Sequence, residues 1–261
     1  MHLRSVGLQT DVELAASRGV VVDRGGYLVV TTDDPTYYYG NMLVLPAPPQ
    51  VGEVGYWSRK FAHEEGLGAD PAIRHVTFRW DGITGDVGAA DELRAAGFTV
   101  EVTQVLTART VSAPPIAVEI RTLATAEVTQ TVELEYRDAD RHDDIYRQFL
   151  DRRAIWKQSL VATGRAMWFG AFDRGELVGS LGLVALGSRA RYQDVQTAVT
   201  HRKHGIAAAL LAAAAREVLP GIHELVIVAE PGSAAARVYE RVGFRPTELT
   251  ASACKYPKLG T

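Results

Sequence analysis

A short basic loop between a predicted strand and an alanine-rich helix is the part of the sequence best suited to chemistry. The loop reads His201-Arg-Lys-His204 and contains the spacing Arg202-x-x-Gly205-x-Ala207. The first N–H groups of a helix have no acceptor within it and carry a partial positive charge. Glycine allows close approach of the backbone, and the basic side chains add donors. The pattern favours a pyrophosphate site; a solvated basic loop before an ordinary core helix remains the alternative.

Other polar clusters give weaker signals. His142-Asp-Asp144 has no further His or Cys cluster beside it, so we interpret it as a charged helix surface. His201 and His204 flank two cationic side chains, whose charge would repel a divalent ion. Cys254 lacks a recognisable histidine partner motif. We therefore expect no metal and no cysteine nucleophile.

Composition restricts the class of protein. The chain has 261 residues with 28 basic and 31 acidic side chains, a net charge of −3, which argues against a protein built around nucleic-acid phosphates. A single cysteine forms no internal disulfide, and charges near the N-terminus argue against a signal peptide. The apolar run Gly205–Ala215 is too short to span a bilayer. We expect a cytoplasmic protein that binds neither nucleic acid nor membrane.

The elements that position the basic loop follow from periodicity and turn signals. Prolines at 114 and 115 indicate a domain boundary. Ile145, Phe149, Trp156 and Leu160 predict one apolar face on the second helix beyond it. Helices are predicted at 124–135, 141–164, 205–218 and 233–242, and strands at 166–172, 177–184, 192–200, 225–229 and from 244 towards 256.

The first half repeats part of this order. Ala89–Phe98 aligns without a gap to Ala235–Phe244, and in both a helix closes on glycine followed by phenylalanine. A similar order of strand, loop, helix and strand precedes each, which favours a duplicated unit over coincidence. Strands are predicted at 20–22, 27–32, 40–45, 73–80 and 99–106, and helices at 56–65 and 86–96.

The spaced motifs of the second half resemble the GNAT superfamily of N-acetyltransferases. Arg202-x-x-Gly205-x-Ala207 is similar to that family's acyl-CoA signature, Gln/Arg-x-x-Gly-x-Gly/Ala, and Tyr239-x-x-x-Gly-Phe follows after a strand, as in the family. The resemblance covers about 117–261. It implies an α/β (α+β) fold of two GNAT-like units, each a mixed, mostly antiparallel twisted sheet flanked by helices. The implied domains are 1–112, degenerate and without the cofactor signature, and 117–261, the acetyltransferase domain.

The resemblance also implies a ligand, acetyl-CoA as co-substrate, and the residues that hold it. In the family, backbone N–H groups of the signature strand hold the pantetheine arm and polarise the thioester carbonyl, and the loop holds the pyrophosphate. Carried over to this sequence, the binding residues are Thr197, Ala198, Val199, Arg202, Lys203, His204, Gly205, Ile206, Ala207 and Ser233.

Direct transfer to an amine is the implied reaction, with one acid and one base. Tyr239 matches the family's acid position and would protonate the departing thiolate; a buried core tyrosine is the alternative. Asp194 and Glu230, near the two strand ends from which the family often draws its base, are the base candidates, and solvated strand-end carboxylates are the alternative for each.

Departures from the family pattern keep a second function open. Gly232 stands where many members have a cofactor-contacting Asn, with Ser233 adjacent, and Leu93 stands in the first half where Tyr239 stands in the second. The first half has Pro46-Ala-Pro-Pro49 in place of the signature. We expect an N-acetyltransferase acting on a small-molecule or peptide amine, as monomer or homodimer; the alternative is a catalytically weak acyl-CoA-binding or regulatory module.

Overall fold

The computed structural model describes residues 1–218 and 220–257. They group into two compact units. Unit 1 contains Met1–Val105 together with the described residues from Thr247 onward, and unit 2 contains Leu106–Pro246.

Unit 1 is a mixed sheet with helices on both faces. Its helices are α1 (Val6–Ala16), α2 (Val54–His63) and α3 (Ala90–Ala95). Its strands are β1 (Gly19–Asp23), β2 (Leu28–Thr32), β3 (Met42–Leu45), β4 (Val76–Trp80), most of β5 (Thr99–Ala108) and most of β11 (Arg245–Lys255). The strand order is β1-β2-β3-β4-β11-β5. β3 and β4 are parallel, whereas β1–β2, β2–β3 and β4–β11 are antiparallel.

Alternation along the strands gives this sheet two apolar faces. One face packs on α1 through Leu8, Val30 and Val44. The other holds an aromatic cluster with Phe61 of α2 and Phe78 of β4. Each face thus buries its own core.

Unit 2 has the sheet order β10-β9-β8-β7-β6. Its strands are β6 (Glu119–Thr122), β7 (Ala166–Asp173), β8 (Glu176–Leu186), β9 (Arg189–Thr197) and β10 (Glu224–Ala229). Its helices are α4 (Gln130–Arg137), α5 (Asp144–Ala162), α6 (Ile206–Arg216) and α7 (Ala234–Val242). Only β9–β10 is parallel among these described pairs. The predicted fold class, with two mixed and mostly antiparallel sheets, is confirmed.

The repeated helix ends have the same geometry in both units. Gly97 and Gly243 have φ of +88° and +123°. After each glycine, the phenylalanine N–H donates to the carbonyl five residues back, from Phe98 to Leu93 (3.0 Å) and from Phe244 to Tyr239 (3.1 Å). These bonds satisfy carbonyls that the helix leaves without partners and turn the phenylalanine back onto the core. The sequence alignment of the two halves therefore corresponds to one shared structural motif.

Two expectations differ from the structure. The sequence analysis assigned the C-terminal strand to 117–261, but β11 pairs with β4, with Ala253 opposite Phe78, and its residues from Thr247 belong to unit 1. Strand partners are chosen by long-range pairing that local patterns do not encode. Of the predicted apolar face of α5, Trp156 and Leu160 are buried, but Ile145 is 63% exposed, because the buried positions of this helix begin only at Leu150.

Candidate functional site

A cleft opens between the two parallel strands of unit 2. β9 and β10 pair at three positions only, the last of them joining Arg191 and Val226. Beyond this point β9 continues to Thr197 and β10 to Ala229 without pairing with each other. Unpaired strand backbone of this kind leaves N–H and C=O groups available to an extended ligand.

A β-bulge lies just past the point where the pairing stops. Gln193 faces Gly182 of β8 and Gln196 faces Ser180, so two β9 residues oppose one of β8. Asp194, the first of these two, has φ +52°, a left-handed conformation that aspartate tolerates better than most residues. A bulge bends its strand and redirects the residues that follow.

The chain leaves β9 through a tight 3-10 turn at Val199–His201. Ala198 is fully buried, and its N–H donates to the Val178 carbonyl (2.9 Å). The Val199 N–H donates to the Asp138 carboxylate (2.7 Å), and the Arg202 Nε donates to the Thr197 carbonyl (3.3 Å). These bonds attach the loop to its own strand and to the end of α4.

The basic loop presents a series of unused backbone donors. Lys203 and Gly205 have φ of +67° and +79°, so the chain turns twice through left-handed backbone before Ile206 begins α6. From Lys203 to Ala208, no N–H has a hydrogen-bond acceptor among the described residues. Arg202, Lys203 and His204 are exposed around these donors, and the arrangement fits a multiply charged anion.

Two further sequence-predicted residues lie in or beside this loop. Ile206 is buried under the first turn of α6, and Ala207 is half-buried beside it. The Thr197 hydroxyl at the end of β9 is buried and has no hydrogen-bond partner among the described residues. This buried hydroxyl is available to hydrogen-bond with a bound ligand.

Tyr239 lies on the buried face of α7. Its ring is 6% exposed and lies 6.3 Å from that of Phe244. Burial raises the pKa of Tyr239 to about 12, so the phenol stays protonated at neutral pH. Its hydroxyl makes no hydrogen bond within the described part of the chain. A protonated phenol of this kind can act as a proton donor.

The start of α7 is capped by a side chain that the sequence analysis singled out. The Ser233 hydroxyl accepts the Ala236 N–H (3.1 Å), and the Ser233 N–H donates to the Glu230 carbonyl (3.2 Å). Gly232 before it has φ +69°, a conformation that glycine adopts without strain. The Ser233 hydroxyl oxygen thus caps the start of α7, while the hydroxyl hydrogen remains available to donate a hydrogen bond.

The two candidate bases lie in different environments. Glu230 follows the end of β10 and is exposed. The Asp194 side chain is 9% exposed and forms ion pairs with Lys157 (2.9 Å) and Arg153 of α5. Although burial opposes its charge, these two cations hold the pKa of Asp194 below its usual range. No hydrogen bond or ion pair joins Tyr239, Glu230 and Asp194 in the described part of the chain.

The sequence analysis did not identify Asp138, Arg153 and Lys157. For Lys157 a signal was present, because it lies at helical spacing from Leu150 and Ala154 on the buried stripe of α5. A lysine at such a position predicts a buried partner of opposite charge. Asp138 gave no signal, since a carboxylate after a helix is ordinarily solvated.

The described residues contain neither a metal-binding cluster nor a membrane-spanning helix. No group of His, Cys, Asp or Glu side chains there is arranged to hold a metal ion. No helix in that part of the chain is long and apolar enough to cross a membrane.

A match to a known protein family lies within the second unit. Residues 164–246 match the family model of the acetyltransferase (GNAT) domain, which spans β7 to the end of α7. No curated protein matches the chain.

Solved structures share the fold over nearly the whole chain. A conserved protein of unknown function from Staphylococcus epidermidis ATCC 12228 has a TM-score of 0.72 at 13% identity, covering 92% of this chain and 95% of that one. A GCN5-related N-acetyltransferase from Kribbella flavida has a TM-score of 0.63 at 16% identity, covering 99% and 97%. A tandem GNAT protein from the clavulanic acid biosynthesis pathway has a TM-score of 0.57 at 16% identity, covering 91% and 82%.

The family model falls on the unit that holds the cleft and the basic loop, and the structural likeness extends over both units. Residues 164–246 thus match the GNAT acetyltransferase domain model, and the fold of the chain is similar to that of a tandem GNAT protein.

Proposed function

We propose that unit 2 is an acetyl-CoA-dependent N-acetyltransferase that transfers the acetyl group directly to an amine on a small molecule or peptide. The observation that carries this proposal is the series of N–H donors from Lys203 to Ala208 that have no acceptor among the described residues. They follow β9, whose edge towards β10 is unpaired beyond Arg191, within the region that matches the GNAT domain model. A diphosphate needs such donors, and an extended pantetheine arm needs such a strand.

In this proposal the binding residues divide by the part of the ligand they hold. The backbone N–H groups from Lys203 to Ala207, with the Arg202 side chain, bind the diphosphate. Thr197 at the end of β9 lies along the pantetheine arm, where its unpartnered hydroxyl gains an acceptor or donor, whereas the Ala198 and Val199 N–H groups already donate to Val178 and Asp138. Ser233, at the start of α7, supplies a polar contact in place of the absent asparagine.

The chemical step is nucleophilic attack on the thioester. The amine lone pair forms a C–N bond with the carbonyl carbon, a base removes the amine proton, and the C–S bond breaks. Tyr239, whose high pKa keeps it protonated, donates its proton to the departing thiolate. For the base we propose Glu230, which is exposed and has no ion-pair partner among the described residues. The carboxylate of Asp194, in contrast, is occupied by two cations.

Gly232 in place of asparagine favours a second candidate, a catalytically weak acyl-CoA-binding module. Both candidates predict acetyl-CoA binding, and only the first predicts turnover. Calorimetric titration with acetyl-CoA tests binding, and a thiol-release assay over a panel of amines tests turnover. Thiol release that requires an amine supports the enzyme, whereas binding without release on any amine supports the module. Absence of binding at millimolar acetyl-CoA would overturn both.

A further inference from the structure

Two cations of α5 converge on the bulge residue of β9. The Lys157 ammonium lies 2.9 Å from one Asp194 carboxylate oxygen, and Arg153 donates to the other. Asp194 is at the position where β9 bends away after its last pairing with β10. The contact therefore joins a helix to the bend that opens the cleft.

The Lys157 side chain is buried and fully engaged. It is 3% exposed, its ammonium lies 3.4 Å from the Thr131 hydroxyl, and it lies 5.3 Å from the centre of the Trp168 ring. Burial lowers the pKa of Lys157, and the Asp194 carboxylate beside the ammonium opposes that shift; the hydroxyl and the aromatic face add further contacts.

The ionic cluster balances its own charge. Arg153 also donates to Glu135 of α4 (3.1 Å), so two cations meet two carboxylates. The Tyr146 hydroxyl donates to the same Glu135 (3.4 Å). Because the group is neutral as a whole, it has no net charge with which to attract a charged acceptor. Its chemistry is suited to holding backbone in place.

We propose that Lys157 and Arg153 are positioning residues: by binding the Asp194 carboxylate they fix the β9 bulge, and with it the direction of the backbone at Gln196–Val199 that faces the thioester. This inference rests on the proposed function. Asp194 holds a left-handed conformation that costs free energy, and such a conformation persists only where its surroundings enforce it. The ion pairs of Asp194 with Arg153 and Lys157 of α5 hold the residue in this conformation.

Two variants remove a charge from the contact between α5 and β9 without forcing a change of backbone conformation at position 194. Lys157→Met removes the deepest cation while keeping much of the side-chain length. Asp194→Asn keeps the tolerance for left-handed backbone but removes the charge. We expect kcat to fall about tenfold in each, with the dissociation constant for CoA within twofold of wild type. The double variant should be no slower than the slower single variant, because the two residues act through one contact.

A pH profile distinguishes positioning from base catalysis. If Asp194 were the base, removing Lys157 would raise its proton affinity, and turnover of Lys157→Met at pH 9 would equal or exceed that of wild type. If Lys157 acts by positioning, the loss of kcat in Lys157→Met persists at pH 9. Asp194 is ionised at that pH, and Arg153 and Glu135 remain beside it. Wild-type kcat per folded Lys157→Met molecule at that pH would overturn the inference.

Controls keep the test decisive. Arg147→Met removes an exposed ion pair with Glu133 from the same helix and should leave kcat unchanged. If Lys157→Met does not fold, Arg153→Met provides the milder variant, because its side chain is 26% exposed. A three- to tenfold loss of kcat is expected there, about 0.7–1.4 kcal/mol of barrier, and an unchanged kcat would contradict the proposal. Absence of thiol release by the wild type would refute the proposed function instead.

Discussion

Each unit contains an equivalent pair of parallel strands. The pair is hydrogen-bonded to its end in unit 1, whereas in unit 2 the pairing stops partway along the strands. In unit 1, β3 and β4 pair through their last residues, Leu45 opposite Trp80, and the Asp81 N–H continues the ladder to Leu45 (2.9 Å). In unit 2, β9 and β10 stop pairing at Arg191 and Val226. The same arrangement of strands therefore either completes its own hydrogen-bond ladder, as in unit 1, or leaves backbone groups unpaired at the corresponding place, as in unit 2.

The loops that follow these strands differ in the same way. In unit 1 the Pro49 carbonyl accepts the Ala89 N–H (2.8 Å), and the Gly52 N–H donates to the Glu92 carboxylate (2.6 Å). A Cβ on Gly88 would lie 2.4 Å from the Pro49 carbonyl oxygen, so this loop is pressed against the start of α3. The corresponding loop of unit 2 makes no such internal bonds from Lys203 to Ala208 among its described neighbours. We therefore propose that unit 2 alone binds CoA.

The largest effect is expected at Tyr239. This position of the repeated helix end is tyrosine in unit 2 and leucine, Leu93, in unit 1. Tyr239→Phe should lower kcat about 100-fold, because the thiolate loses its proton donor. The dissociation constant for CoA should stay within twofold. Tyr39→Phe in unit 1 removes a phenol bonded to Glu101 and serves as the matched control, with kcat unchanged. Steady-state kinetics and titration measure both, and full activity of Tyr239→Phe would exclude it as the acid.

A smaller effect is expected when Arg202, an exposed cation of the basic loop, is removed. Arg202→Ala should raise the dissociation constant for CoA about tenfold with little change in kcat, because one charge-assisted contact to phosphate is lost. The difference should shrink as salt is added. The matched variant Arg24→Ala removes an exposed arginine paired with Glu64 in unit 1 and should not alter binding. Equal affinities of Arg202→Ala and wild type for CoA would indicate that this loop is an ordinary solvated turn.

A paired glycine experiment separates backbone strain from ligand contact. Gly205 and Gly175 have φ of +79° and +84°, and a Cβ at either position meets no close atom, the nearest being Ile116 at 3.4 Å from Gly205. Alanine at each should reduce the free energy of unfolding by about 1 kcal/mol. Only Gly205→Ala should also weaken CoA binding, by about threefold, because its backbone approaches the anion. Denaturant unfolding and titration give the two readings; equal binding losses in both variants would contradict this distinction.

The smallest expected effect is on unit 1. Glu92→Gln weakens the bond to the Gly52 N–H, yet the prolines and the closed strand pair remain. Titration should still give one CoA per chain, with unchanged turnover. A second binding event in this variant or in wild type would break the proposed contrast between the units.

The parts of the molecule that local pattern determines were predictable from the sequence. The helix end at Gly243-Phe244, the basic loop and the alternation of strands with helices in unit 2 all follow from turn residues and periodicity. Helix α1 was missed because its buried positions include Leu8, Val12 and Ala15 together with Gly7 and Thr10, which gives no clear apolar stripe.

Features created by long-range pairing were not predictable from local pattern. The bulge at Asp194 depends on β8 and on two cations of α5 that lie about 40 residues earlier. The place of β11 depends on its pairing with β4, which is far from it in sequence. Neither pairing leaves a local signal, whereas the buried lysine at position 157 did leave one that periodicity can detect.

The place of β11 has a consequence for how the protein is made. The strand lies between β4 and β5 in the sheet of unit 1, yet the ribosome synthesises it after all of unit 2. Unit 1 therefore emerges first with exposed strand edges and cannot complete its sheet until unit 2 and β11 have also left the ribosome. During that interval unit 2 can already fold, so unit 2 is expected to become structured during synthesis before the unit that precedes it in sequence.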